Sequence, residues 1–468
     1  MVFKELLQRF LEAAPACVMH RAVLENFLSP AKLNAVFKQT AKIQYERELL
    51  FSTVVDLTSQ VVCRLSPSTR QAYLAQRDRI TVSLQAIYDK LSHIEPGTSQ
   101  ALVRYSGQRA SELIDRCKGS RKPLLKGYRT RILDGNHLGK TNHRLSVLRN
   151  TAAGALPGQS LVLLDPLRMV IDEVVLCEDG HTQERSLLNQ VAPLLEKGDL
   201  LIADRNFCTL GFLFSILACK ASFIIRQHAH LPWKSLGKAR YVGRCETGRV
   251  YEEMIELRAP ETGRTKHMRR ITIRLNTPTR DGDTEIHLLS NLPAKVAAQK
   301  VAQLYRKRWT LEQAFNELTT HLRCELNTLG YPKAALFAFS VAVCSYNLLA
   351  ALKGVLRGVH GEEKVDKEVS NFQLTNEIQS VYGGMMVALP ASQWESYQNL
   401  TLPQLATELL RIARAIDLNK YRKETHPPKK PKPKLPNAQA RHVATSRLLE
   451  AQHVLKQKKR KMAANSDP

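Results

Sequence analysis

Nine cysteines are scattered along the 468 residues without a single Cys-x-x-Cys pair, which excludes a zinc ribbon and fits reduced thiols in a cytoplasm. Long unbroken apolar runs are also missing. The most apolar stretch, residues 334–351, holds Ser340, Ser345 and Asn347 and reads as a buried core helix rather than a membrane span. The amino terminus is amphipathic, carries Glu5 early and lacks a secretory pattern. There is no internal repeat and no helix-turn-helix signature. These absences predict a soluble, cytoplasmic protein with no membrane partner. Acids are scarce: 43 Asp and Glu face 69 Lys and Arg, a formal net charge of +26. Residues 417–468 account for +10 and the first 416 residues for +16, so the basic excess is not only a tail effect. Such a chain is expected to meet a polyanion, although charge alone does not separate DNA from RNA.

Against that background the segment Tyr305-Arg-Lys-Arg-Trp-Thr-Leu-Glu312 stands out. On one continuous helix Tyr305, Arg308 and Glu312 fall at i, i+3 and i+7 and share a face, with Leu304, Leu311, Phe315, Leu318 and Leu322 forming an apolar stripe beside it. Taken alone, such a segment is equally an amphipathic helix with solvated charges. Two further acids change the balance. Asp204 ends the apolar run Asp199-Leu-Leu-Ile-Ala, a predicted buried strand, at the kind of strand end where α/β folds place functional groups. Asp134 follows the run Tyr128–Leu133, read as a first strand that stops at the acid. Two strand-end acids and one helical acid can converge on a pair of divalent metals. Asp165 and Asp172 are rivals: the first suits the Asp165-Pro turn and the second lies inside an alternating strand, so both rank below.

Three acids in this order resemble the DDE triad of cut-and-paste DNA transposases of the IS4 type, over roughly residues 125–350. The family hallmark runs Tyr, two residues, Arg, three residues, Glu, six residues, Lys. Tyr305, Arg308 and Glu312 match it, and Trp309 follows the Arg as in some relatives. Thr319 stands where the Lys is expected, and Arg323, one turn further on, is a candidate substitute. The resemblance implies an RNase H-like fold and an α/β, mixed-sheet catalytic core. It also implies Asp134, Asp204 and Glu312 as metal ligands for two Mg²⁺ or Mn²⁺ ions, since hard oxygen ligands select such cations. Tyr305, Arg308, Thr319 and Arg323 are then expected near phosphates. Arg205 is read equally as a phosphate contact or an ion-pair partner. Trp309 is read first as core packing and second as a base stacker, and His137 first as a turn residue and second as a substrate contact. The partners implied are double-stranded DNA, as transposon ends and target, and a second copy of the chain in a homodimer on paired ends at the nucleoid. The alternatives are a catalytically silent DNA-binding descendant and another RNase H-like nuclease.

Around that core the chain divides as follows. Residues 1–118 read as an all-α unit, with helices at Leu49–Val62 and Ile80–Ile94, a helix start at Pro67-Ser-Thr, a loop at Glu95-Pro-Gly-Thr-Ser and a helix at Gln108–Asp115. It is read as a DNA-end recognition unit ahead of a scaffold. Residues 119–352 form the catalytic region, opening on a basic linker at 119–127. They include an antiparallel pair at Ser160–Leu164 and Met169–Cys177, helices at Glu184–Leu195 and Leu210–Lys220, a strand at Ser222–Arg226 and a β-rich insertion at about 235–293. Residues 353–425 read as helical, best at Leu402–Ile416, and fit dimerisation. Residues 426–468 form a basic Pro/Lys-rich tail, disordered at first, with a basic helix at Ala440–Lys461. Cys208 and Cys324 near the site are read as small buried side chains.

Overall fold

The structure is a computed structural model and describes residues 2–44, 46–279, 282–424 and 442–464. Helices dominate the first 116 residues: Val2–Ala13, Pro15–Phe27, Pro30–Thr40, Phe51–Val62, Thr69–Ala75, Leu84–His93 and Pro96–Arg116. Three of them open on proline, whose missing N–H costs nothing in a first turn. Pro96 overturns one expectation. The Glu95-Pro-Gly-Thr-Ser stretch is a helix start and not a loop, and Glu95 accepts from the backbone N–H groups of Lys42, Ile43 and Gln44. The Pro67-Ser-Thr signal holds, since the Ser68 hydroxyl caps Thr69–Ala75.

Twelve strands follow in chain order: β1 Arg129–His137, β2 Gly154–Leu156, β3 Gln159–Asp165, β4 Val170–Cys177, β5 Asp199–Ala203, β6 Ser222–Arg226, β7 Lys234–Ser235, β8 Arg240–Cys245, β9 Gly248–Arg258, β10 Thr265–Leu275, β11 Glu285–Ser290 and β12 His442–Ala444. Ten of them make one sheet along the path β4-β3-β1-β5-β6-β11-β10-β9-β7, with β8 also on β9. Within it β4, β3 and β1 are antiparallel neighbours while β1, β5 and β6 run parallel. That order and sense are those of an RNase H-like core, so the fold is mixed α/β as expected. The residues read as an insertion extend the same sheet, because β11 pairs with β6.

Other boundaries moved. β1 does not stop before Asp134. It runs to His137, because its polar second half still pairs with β3 from Asp134↔Val162 to His137↔Gln159. The expected helix at Glu184–Leu195 is three short turns, Glu184–Leu187, Leu188–Val191 and Ala192–Leu194. The expected single helix carrying Tyr305, Arg308 and Glu312 is two, Ala298–Arg306 and Trp309–Thr320, with the break at Lys307 and Arg308. Four helices, Glu362–Glu368, Asn371–Ala388, Glu395–Gln398 and Leu402–Arg414, follow residue 361, the last held by a Thr401–Gln404 capping box. The Pro/Lys-rich tail lies outside the described residues up to residue 441. Beyond it β12 pairs in parallel with β2 and leads into the helix Thr445–Ala464.

The helix Pro332–His360 is long and apolar enough to cross a membrane by length and composition, contrary to the reading of the sequence, yet it is almost wholly buried inside the protein. It packs against Pro96–Arg116 and β4. Asn347 sits fully buried at that junction. Its side chain accepts from the Ile171 N–H (3.0 Å) and donates to the Ile171 carbonyl (2.8 Å) and the Ser106 hydroxyl (3.1 Å), tying the long helix to β4 and to the N-terminal helices. Replacing it with an apolar side chain leaves buried backbone groups unpaired, each worth roughly 1–3 kcal/mol. Asn347→Leu is expected to lower the unfolding free energy by about 2 kcal/mol or more, read from the midpoint of a urea titration.

Candidate active site

Register brings the first two acids together. β1 and β5 run parallel with Leu133 opposite Ala203, so Asp134 and Asp204, the next residue on each, come side by side. Hydrophobic side chains drive this locally: all five residues of β5 are buried, and Asp204 is the first partly exposed residue after it. Alternation along β1 decides against the rival acid. Arg131 and Asp134 point to opposite faces of the sheet, and Arg131 pairs with Asp172 at 2.5 Å, away from Asp204. Asp165 is engaged in its turn, accepting from the Leu167 N–H and from Arg168.

The third acid arrives from the broken helix. Arg308, at the break, extends one guanidinium nitrogen to Asp134 Oδ2 (2.8 Å) and another to Glu312 Oε1 (2.6 Å). Tyr305, in the preceding helix, donates its hydroxyl to Asp204 Oδ1 (3.3 Å). Burial pushes the Asp134 carboxyl up to about 6. Arg308 and the Gly135 N–H pull it back, while Asp204 and Glu312 add to the rise. Burial works against the Arg308 cation, yet Asp134, followed by Tyr305, Asp204 and Glu312, raises it above its ordinary value. Burial, with Asp204 beside it, also raises the Tyr305 phenol. The three acids therefore share one electrostatic site with one arginine at its centre. Among the described residues no three His, Cys, Asp or Glu side chains stand close enough to hold one ion. The donor chemistry suits a hard divalent cation, while Arg308 bridges Asp134 and Glu312 in this arrangement.

The remaining candidates lie at varied distances from this centre. Trp309 is not core packing: it is 61% exposed at the first position of its helix, with the Arg308 guanidinium 5.6 Å from its ring centre. It lines an open pocket of about 450 Å³ with Tyr305, Ile273 and Arg306. His137 is exposed at the end of β1, 3.8 Å from Glu184. Arg205 is exposed just past Asp204. The Thr319 hydroxyl is taken by its own helix, donating to the Phe315 and Asn316 carbonyls. Arg323 is drawn instead to the Pro67 carbonyl in the N-terminal helices at 2.9 Å. Cys208 and Cys324 are buried, and burial raises both thiols.

Glu184 is a site neighbour that sequence reasoning missed. A side chain at Gly135 would collide with its carboxylate, so the glycine after Asp134 is what lets Glu184 approach β1. The only trace in the sequence is that glycine. Glu184 and His137 border a groove of about 610 Å³ that also reaches Arg185 and Asn206.

Residues 157–348 match the family model described as the transposase DDE domain. The matched span includes Asp204 and Glu312 and begins after Asp134. Over 183 residues the chain is 28% identical to y4zB, a candidate transposase of Sinorhizobium fredii (strain NBRC 101917 / NGR234), covering 38% of this chain and 49% of that protein. The chain thus spans about half the length of that relative. The piggyBac transposase, solved by cryo-EM as a synaptic complex with hairpin DNA, aligns over 85% of each chain at 10% identity and a TM-score of 0.40.

Asp134 supplies a test of the geometry. Its carboxyl titrates near 6 in the folded protein against an ordinary 3.8, so folding favours its protonated form. The penalty for ionising it grows as pH rises through that window and is complete above it, up to about 3 kcal/mol. Asp134→Asn, a mimic of the protonated acid, is expected to raise the unfolding temperature in EDTA at pH 7.5 and to raise it by only about a third as much at pH 4.5. Destabilisation at pH 7.5 would contradict the crowded acid cluster.

Proposed function

We propose that this chain is an IS4-type DNA transposase that cuts the ends of a mobile element and joins them to target DNA. The observation that carries the reading is the parallel register of β1 and β5, whose last pair Leu133↔Ala203 brings the following residues Asp134 and Asp204 close, with Arg308 linking Asp134 to Glu312. Asp134, Asp204 and Glu312 are the residues that would hold Mg²⁺ or Mn²⁺, with two ions expected. The chemistry such ions would supply, held by those three carboxylates, is activation of a nucleophile and stabilisation of the leaving oxygen in an in-line phosphoryl displacement. Water then opens the phosphodiester at the element end, and the released 3′-OH attacks the target strand, one P–O bond forming as another breaks.

The chain's own side chains supply positioning. Arg308 has the planar fork to grip a phosphate bidentately once it leaves the carboxylates, and Tyr305 steadies Asp204 through its hydroxyl. Trp309, exposed beside Arg308, presents a stacking surface for a base near the cut. His137 on the groove and Arg205, exposed just past Asp204, fit substrate contacts. Thr319 and Arg323 are weaker candidates for phosphate contact, each already bonded elsewhere. The N-terminal helices fit DNA-end recognition and residues 353–425 fit dimerisation, since cutting paired ends needs two catalytic centres. The protein would act on DNA at the nucleoid.

The test is cleavage and strand transfer on duplexes carrying the sequences that flank this gene, in Mg²⁺ and in Mn²⁺. The expected result is nicks at the ends and joined products, both absent in Asp204→Ala. Hydrolysis without joining would indicate a simple nuclease. Binding without cutting in either metal would indicate a silent descendant.

A further inference from the structure

Behind the helix Trp309–Thr320, on the side away from Glu312, lies a second site that the phosphoryl-transfer reading does not use. It is a partly open polar cavity of about 260 Å³ between that helix, the linker after residue 118, the long helix Pro332–His360 and the C-terminal helices. Thr310, Gln313 and Glu317 face it at helical spacing. Five cationic side chains line it: Arg121 from the linker, Lys307 from the helix break, Lys353 and Arg357 from the long helix, and Lys423. Two carboxylates share the lining with them, Glu317 and Asp366, and Glu362 acts on Arg357 from outside it.

Asp366 is already committed. It accepts from Arg121 at 2.6 Å and lies 3.5 Å from Arg357, and Lys423 donates to its backbone carbonyl. Lys353 feels Glu317 and Asp366 but makes no ion-pair contact with either among the described residues. Burial pushes its ammonium down to about 8 and pushes the Glu317 carboxyl up. An uncompensated buried cation is costly, and the usual remedy is a partner of opposite charge. The walls offer a guanidinium, ammonium groups and the side chains of Thr310, Gln313 and Tyr346, the donor set that recognises a compact, multiply charged oxyanion.

We propose that this cavity binds a phosphoryl oxyanion, supplied by inorganic phosphate or pyrophosphate or by a DNA backbone phosphate entering past Lys307. The bound anion compensates Lys353 and fixes the helix whose other side carries Glu312. This inference stands on the cavity alone and does not require transposase activity.

The experiment is thermal unfolding of the full chain with inorganic phosphate or pyrophosphate against potassium chloride at equal ionic strength, with calorimetric titration of the same anions. The expected result is a rise in melting temperature of about 2 °C or more at saturating anion. That rise should be lost in Lys353→Met and kept in Lys353→Arg. Because the anion-induced shift is read within each variant, a change in the starting stability of Lys353→Met does not obscure it. If free anions give no shift but duplex affinity drops at least fivefold in Lys353→Met and not in Lys353→Arg, the phosphate comes from DNA. An equal shift in wild type and Lys353→Met overturns the proposal, and so does the absence of both effects.

Discussion

Arg308 is the charge on which the site depends. Three carboxylates converge on a cleft where Asp134 is mostly buried, and their mutual repulsion opposes any fold that gathers them. At an effective dielectric of about 20, two unit charges 4 Å apart interact by roughly 4 kcal/mol, so one central cation touching two acids offsets much of that repulsion. Arg308 stands where the helices Ala298–Arg306 and Trp309–Thr320 meet, with helical backbone angles of its own. It reaches Glu312 one turn ahead on its own helix and Asp134 across on the sheet, while Tyr305, one turn behind, reaches Asp204. The pair of interactions binds the helical layer to the sheet at the point where the chemistry is proposed.

The sheet gives that cation fixed acids to work against. β5 is buried along its whole length, and its parallel register with β1 sets Asp134 and Asp204 abreast without help from loops. The antiparallel strands β3 and β4 brace β1 from the other side. Their position is held in turn by the long buried helix through Asn347. Strand-borne groups backed by a packed helix are held more tightly than loop-borne ones, which suits a reaction that needs carboxylates placed to within a fraction of an ångström.

Much of this was legible in the sequence, and the failures have physical causes. The strands Asp199–Ala203 and Ser222–Arg226 were read to the residue because each is a short apolar run bounded by polar or small residues, and Asp204 was found as the acid that ends the first of them. β1 was cut short at Leu133 because hydrophobicity stops there, whereas backbone pairing continues through Gly135 and Asn136 to a partner 24 residues away. The helix break at Lys307 and Arg308 has neither glycine nor proline to announce it. It coincides with ion pairs to residues far away in the chain, which no local pattern contains. Trp309 lies on the exposed side of its helix, which its apolar character does not announce, and Glu184 approaches β1 from a segment with no acid-at-strand-end pattern, beside the open space of Gly135.

The helix Trp309–Thr320 separates two opposite electrostatic imbalances. On one side Glu312 joins two other acids that share a single guanidinium. On the other, Glu317 is one of two carboxylates facing five cations. Lys307 and Arg308, adjacent in the chain, serve the two sides separately, the first at the cavity mouth and the second among the acids. A charge added to either side therefore acts on the same short helix and the same break. A basic protein of this kind need not spend its excess charge only on its surface. Here part of it lines a cavity behind the helix that carries Glu312, while Arg308 meets Glu312 on the other side.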